Sequence, residues 1–376
     1  MRFSYGIEHE VAFLNGEGRF ADFSNTQFSE FDRIIQALPT FPGDYPQLRV
    51  GDAGIKVKRW YIEGFERFAD SEDVVDCAPK GIEIRTTIHP TIAGAIAELS
   101  ESFELLCQVA AASGFKPVWT SFNPFQTTFE PDPPLNPYEL RRRETSPEMQ
   151  TAEIPMLTYG PDLSISADGL VLDRQIDIGR KLTYYSPALL PFSFSSPFFD
   201  GKLWDGYSVR TYVRTGPRPA CMVFIDDPAR MIESYPSLTQ MARVPAETGR
   251  IEFKAFDSCA DFSLYAGLLV LLKGLVLDET LPGRATVPDA ALHQQAARAG
   301  FDDPQVLESA HRVMEAAAAA LLDDDDRRFL APLHGLLESR RTPAHQLIDA
   351  FKVSGSIEKA LRQPYETRES SHDLYR

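Results

Sequence analysis

Apolar and polar positions alternate from Phe3 to Leu14, with Ile7, His9, Val11 and Phe13 on one side of the chain and Glu8 and Glu10 on the other. That period of two predicts a strand, because successive side chains of extended backbone point to opposite faces. Similar runs rich in β-branched and aromatic residues predict strands at Ile55 to Phe65, Gly81 to Ile88, Met156 to Ser166, Tyr207 to Arg214, Cys221 to Ile225 and Gly249 to Phe256. The period lengthens after Pro90: Ile92, Ile96, Leu99, Phe103 and Leu106 share one face of a helix over Thr91 to Ala112. Helices are also expected around Asp177 to Leu190 and Pro228 to Ala242.

Between Pro117 and Pro155 eight prolines and the charged run Glu139 to Glu144 predict a loop or mobile lid. Beyond Asp261 the pattern is helical at 262–279, 288–299, 304–322, 325–340 and 343–352, with a break at the run Asp323 to Asp326. Strands in the first two thirds and helices in the last third predict an α+β fold, an antiparallel β-sheet with flanking helices. The expected organisation is a sheet core over 1–260, including the proline-rich loop 117–155, and a helical C-terminal region over 261–376 packed on it.

Composition narrows the function. A formal charge of −16 in 376 residues argues against nucleic-acid or anionic-membrane partners, which demand a basic surface. The apolar run from Ala266 to Leu277 is too short and too interrupted to span a bilayer, and no secretory signal is read at the start. Four scattered cysteines, Cys77, Cys107, Cys221 and Cys259, carry no zinc or redox spacing, so a reducing cytoplasm is the expected setting. Homo-oligomers are compatible with this.

Carboxylates placed inside apolar runs carry the chemistry. Glu8 and Glu10 project side by side, and Glu83 and Glu252 each sit within another strand-like run. Charged groups seldom occupy such positions unless paired or bound to metal, and hard Mg²⁺ or Mn²⁺ suits carboxylate oxygens. The competing reading of Glu8 and Glu10 is the solvent face of an edge strand. Arg85 shares the face of Glu83, and Arg210 and Arg214 share another; their guanidinium forks suit carboxylate or phosphate, or simply surface ion pairs. No glycine-rich phosphate loop and no nucleophile motif is present.

Taken in order, these motifs resemble the glutamate–cysteine ligase family and the related carboxylate–amine ligases. Gly6-Ile7-Glu8-His9-Glu10 is similar to the opening Gly-(Ile/Val)-Glu-x-Glu strand, and Asp76 with Glu83 to an acidic pair seven residues apart. Ser193-Phe194-Ser195-Ser196-Pro197-Phe198 with Ser208-Val209-Arg210 resembles the Ala/Ser-Ser-Pro and Ser-x-Arg segments, and Ile251 to Asp257 the late Glu-x-Arg-x-x-Asp strand. The resemblance implies a glutamine-synthetase-like fold and ATP-dependent amide formation through an acyl phosphate. It implies Glu8, Glu10, Asp76, Glu83 and Glu252 as metal ligands, with Arg210 and Lys254 neutralising phosphate or orienting a substrate carboxylate.

Two positions depart from that pattern. Asp162 in Gly160-Pro161-Asp162 stands where a metal-binding histidine is usual, and Lys254 stands where arginine is usual. Aspartate still binds magnesium, whereas lysine lacks the bidentate fork, so the metal cage is expected to persist and the substrate pocket to differ. The expected function is therefore joining the γ-carboxyl of glutamate to an amino acid, cysteine by default, with ATP and Mg²⁺ (or Mn²⁺) as cofactors; Arg210, Arg214 and Lys254 are the nucleotide-binding candidates and Arg85, Arg210 and Lys254 the catalytic ones. Alternatives are a diverged binding protein without catalysis and a phosphotransferase that stops at a phosphorylated product.

Overall fold

Every second residue of Phe3–Leu14 is buried, the pattern of a strand, β1, with one face packed on a core. The computed structural model describes residues 1–44, 48, 58–145 and 147–373. After β1 come β2 (Phe20–Ala21), α1 (Phe28–Ala37), the hairpin of β3 (Trp60–Phe68) and β4 (Val74–Arg85), α2 (Ile92–Ala112) and β5 (Lys116–Val118). Three short helices, α3 (Pro137–Thr145), α4 (Pro147–Gln150) and α5 (Glu153–Leu157), lead to β6 (Pro161–Ala167) and α6 (Leu172–Leu189). The small β7–β8 hairpin (Phe198–Phe199, Lys202–Leu203) and α7 (Val209–Arg214) precede β9 (Cys221–Ile225), β10 (Thr239–Met241) and β11 (Ile251–Phe253). Then follow α8 (Phe262–Leu277), α9 (Ala290–Ala299), α10 (Pro304–Ala320), α11 (Asp324–Arg328), α12 (Ala331–Ser339), α13 (Ala344–Ser354) and α14 (Ile357–Asp373).

The main sheet has the order β10-β9-β11-β6-β1-β4-β3, with β2 and β5 pairing the far end of β1. Its pairs are antiparallel except β9 with β10, so the expected all-antiparallel sheet is mixed at one edge. One face carries Ile7, His9, Val11, Ile82, Ile84, Leu163, Ile165, Ile251 and Phe253, all buried, beneath α1, α2, α6 and α8. Removing such a side chain, as in Ile84→Ala, is expected to cost about 2–5 kcal/mol through lost burial and the cavity left behind. His9 belongs to this apolar face, its Nδ1 hydrogen-bonded to the Tyr265 hydroxyl at 2.9 Å and its ring edge-on to Phe262. One hydrophobic cluster runs from Phe3 to Tyr365. Among the described residues no helix is long and apolar enough to cross a membrane.

Several elements differ from their sequence pattern for local reasons. The run Tyr207 to Arg214 is mostly the helix α7, because the Ser208 hydroxyl caps it by accepting from Thr211 N at 3.0 Å. Pro228 to Ala242 makes one 3₁₀ turn and then β10; Pro236 cannot continue a helix, and Ser234 and Ser237 hydroxyls bond nearby backbone instead. Met156 to Ser166 divides into the end of α5 and β6, and β11 is shorter than Gly249 to Phe256. In the predicted strand Ile55 to Phe65, residues 55–57 lie outside the described residues. The stretch 117–155 is more ordered than a loop: Thr120 to Asn123 are buried and α3 is pinned to β3 by a bidentate Arg67–Glu139 pair at 2.8 and 3.0 Å. Burial would raise the Glu139 carboxyl, but Arg67 and the N–H groups of Phe68 and Asn136 hold it at about 2.

Candidate active site

Strand register assembles the carboxylates on the face opposite that core. Glu8 lies across from Arg85 on β4 and Asp162 on β6, Glu10 from Glu83, and Glu252 from Ser164. On β3, Tyr61 pairs with Glu83 and Glu63 with Gly81. Because side-chain parity is conserved across a ladder, these groups converge. They form two trios, Glu10–Glu63–Glu83 and Glu8–Asp162–Glu252, each with one carboxylate oxygen per residue within 4.8 Å of the others.

A β-bulge shapes the first trio. The β3–β4 register slips between Glu63 and Gly64, whose partners are Gly81 and Pro79, leaving Lys80 as the extra residue. Its ammonium, fully buried, donates to Glu10 Oε1 at 2.5 Å and to the carbonyls of Pro155 and Thr158 at 2.7 Å. The second Glu10 oxygen accepts from Gly160 N at 2.6 Å. Burial, with the charges of Glu63 and Glu8 and a hydrogen bond to Glu63, pushes the Glu83 carboxyl well above the carboxylate range. An oxygen-only donor set of this kind fits Mg²⁺ or Mn²⁺.

The second trio already contains a cation. Lys254 Nζ bonds Asp162 Oδ2 and, at 2.6 Å, Glu252 Oε1, while Arg250 Nη2 lies 3.1 Å from Glu252 Oε2. Glu8, bonded to neither, is pushed up to about 7 by burial and by the charges of Glu252 and Asp162. Burial works against ionised Asp162 too, but Lys254 outweighs it and holds the carboxyl low.

Lining the same cleft of about 430 Å³ as Glu8, Glu10, Glu63, Glu83 and Asp162 are Arg142, Arg210, Arg214, Arg218 and Arg243. Arg210 and Arg214 are four apart on α7 and so share a face by helical rather than strand geometry. Arg210 donates from Nη1 to Ala255 O at 2.8 Å and from Nη2 to Lys254 O at 3.0 Å. It lies flat against Gly160, where a Cβ would sit 2.2 Å from Nη2; only glycine leaves room. Behind it, buried Asp257 stands 3.9 Å from Nη1 and accepts from Ser195 N, Ser196 Oγ and Ser208 Oγ at 2.9 to 3.1 Å. The serine motifs are thus a web that orients Arg210. Burial, with Arg210 and Arg218 beside it, depresses Arg214 well below the usual guanidinium value.

Eight of the ten candidates from sequence meet in this cleft: Glu8, Glu10, Glu83, Asp162, Arg210, Arg214 and Lys254 line it and Glu252 completes the second trio. Asp76 is not brought to it. That residue is exposed near the start of β4 opposite Arg67, seven residues from Glu83 and hence about 20 Å along the strand. Arg85 is also directed elsewhere, its Nε donating to Lys58 O at 3.0 Å and its guanidinium over the Tyr61 ring, in an adjoining cavity of about 120 Å³. Glu63, Lys80, Arg142, Arg218 and Arg243 escaped the sequence reading. Glu63 had a signal, alternating with Tyr61 and Phe65 in an apolar run; Lys80 had none, since a bulge directs it.

No protein-family model and no curated sequence matches the chain. Solved structures do. Glutamate–cysteine ligase from Francisella tularensis, in complex with AMP, superimposes with a TM-score of 0.59 at 12% identity over 98% of this chain and 89% of that one. The fold is that of glutamate–cysteine ligase. A bifunctional glutathione synthetase from Pasteurella multocida gives the same TM-score and identity over 98% of this chain, which spans only 52% of that protein. The ligase PafA, in complex with the ubiquitin-like protein Pup, gives 0.50 at 10% identity over 99% of this chain and 69% of its own. At these identities the likeness is one of fold.

Proposed function

We propose that the chain is an ATP- and Mg²⁺-dependent carboxylate–amine ligase that activates the γ-carboxyl of glutamate as an acyl phosphate and joins it to an amino acid, with cysteine the default acceptor. The observation that carries this reading is a cleft lined both by carboxylates of the two trios and by five arginines. The carboxylates suit a divalent cation and the arginines suit phosphate or carboxylate, the two needs of phosphoryl transfer to an acid. The ligase names among the fold neighbours support it.

In this reading Glu10, Glu63 and Glu83 hold the divalent cation, which neutralises the ATP phosphates when bound. Arg210, fixed by Asp257 and Gly160, and Arg214 orient the terminal phosphate against the acceptor carboxylate. An oxygen of that carboxylate attacks the γ-phosphorus, the bond to ADP breaks, and an amine then displaces phosphate to leave an amide and one proton. The mixed anhydride needs protection from water, a task for the 117–155 segment, which contributes Arg142 and Pro155 to the cleft rim. A reducing cytoplasm is the proposed setting, consistent with four free cysteines.

ADP release with Mg²⁺-ATP and glutamate, scanned over the twenty amino acids with products weighed by mass spectrometry, tests the proposal. A γ-glutamyl amide mass with cysteine supports the full reading, another amine reassigns the acceptor, and no ADP with any pair removes the activity. The presence of Lys254 among the carboxylates favours a second reading, a binding protein without turnover. Calorimetric binding of Mg²⁺-ATP without any product would select it.

A further inference from the structure

The carboxylate trios hold their internal cations differently. Lys80 divides its three donors among one Glu10 oxygen and two backbone carbonyls, so it compensates one carboxylate at the margin of Glu10–Glu63–Glu83. Lys254 instead places its ammonium between two members of the other trio, Asp162 and Glu252. Arg250 takes the remaining Glu252 oxygen. Two of three negative charges are thereby compensated in one trio and one of three in the other. Lys254 is also held at its backbone, its N–H donating to Ala220 O at 2.9 Å directly after β11, so its Cα stays within reach of the trio.

A divalent cation bound by carboxylates sits about 2.0–2.6 Å from each oxygen. In this trio it would have to share the Asp162 and Glu252 carboxylates that the Lys254 ammonium already binds. Competing for the same two carboxylates, the two positive charges exclude one another. We infer that in the Glu8–Asp162–Glu252 trio the Lys254 ammonium takes the place of a divalent cation, as a tethered positive charge supplied by the chain. The cleft then takes one fewer metal ion than its carboxylates suggest. This deepens the metal part of the proposed function, but it concerns binding by the free protein and is read without nucleotide.

The test is to count Mn²⁺ bound per full-length chain by electron paramagnetic resonance of the free ion, with no ATP or amino acid present. Lys254→Met is expected to bind one Mn²⁺ more than the unaltered protein, and Lys254→Met with Asp162→Asn to lose that extra ion. Equal counts in the unaltered protein and folded Lys254→Met would overturn the inference. Asp162→Asn alone supplies a check independent of the folding of that variant: it is expected to leave the count unchanged, and loss of an ion would overturn the inference as surely. Neither result depends on ADP release, so failure here and failure of the ligase reading are separable.

Discussion

Two carboxylate trios that begin two residues apart on β1 and share one sheet face reach opposite electrostatic ends. Around Glu8–Asp162–Glu252 the chain supplies Lys254 and Arg250, and Lys254 holds the Asp162 carboxyl below its usual range. Around Glu10–Glu63–Glu83 the cation is Lys80, with two of its three donors spent on carbonyls, and the Glu83 carboxyl is raised well above the usual range. Equal numbers of acids in similar burial thus make either a closed ion-pair cluster or a site that wants an external cation. What decides is where the nearest lysine is anchored: one follows a strand end, the other is swung in by a bulge.

The largest expected effect comes from removing a ligand of the charge-poor trio. Glu63→Gln or Glu83→Gln is expected to lower Mg²⁺-ATP-dependent ADP release by about 100-fold or more. Because these variants relieve repulsion, the folded chain without metal should melt no lower than the parent in a thermal scan. Undiminished turnover in Glu83→Gln would transfer the catalytic burden to the other trio and collapse the contrast.

Gly160→Ala comes next. Its Cβ overlaps Arg210, so the guanidinium must shift by more than an ångström while the core is untouched. Turnover should fall about 10- to 100-fold with near-native circular dichroism, since misplacement on that scale is costly. Normal kinetics would mean that the arginine wall is not used.

A pH series gives a smaller and more diagnostic signal. The Glu8 carboxyl, ordinarily at 4.5, is raised to about 7 in the folded chain, so the folded state binds this proton more tightly than the unfolded one. Its contribution is fully present below pH 4.5 and is lost as pH rises through 7. Relative to Glu8→Gln, the parent should therefore lose on the order of 1–3 kcal/mol between those limits, read from denaturant melts without metal. A parent that gains stability against Glu8→Gln over that window would reverse the assignment.

Asp76→Asn should do least. The residue is exposed and remote from both trios, so changes within about 0.5 kcal/mol and normal turnover are expected. A dead Asp76→Asn would require a third acidic region that the fold does not bring near the cleft.

Much of this was legible before the structure. β1 has the bounds its alternation indicates, α2 starts one residue after the capping Thr91, and α8 is the buried helix its composition suggests. Glu8, Glu10, Glu83 and Glu252 could be picked out because an acid amid apolar neighbours is costly without a partner. Asp76 was misplaced because a spacing of seven says nothing of distance along a strand. Arg210 and Arg214 were put on a strand because Val, Thr and Tyr favour one, yet a serine cap outweighed them.

From the sequence alone follow the strands and helices with strong periodicity, the scarcity of positive charge, and the identity of most carboxylates in the cleft, since each is set by neighbours a few residues away. Tertiary structure decided which carboxylates meet, through a register that sets Glu10 beside Glu83 and Glu63 near both. It also decided which trio keeps its own cation, because a bulge and a strand end bring Lys80 and Lys254 to Glu10 and Asp162, about 70 and 90 residues away in the chain.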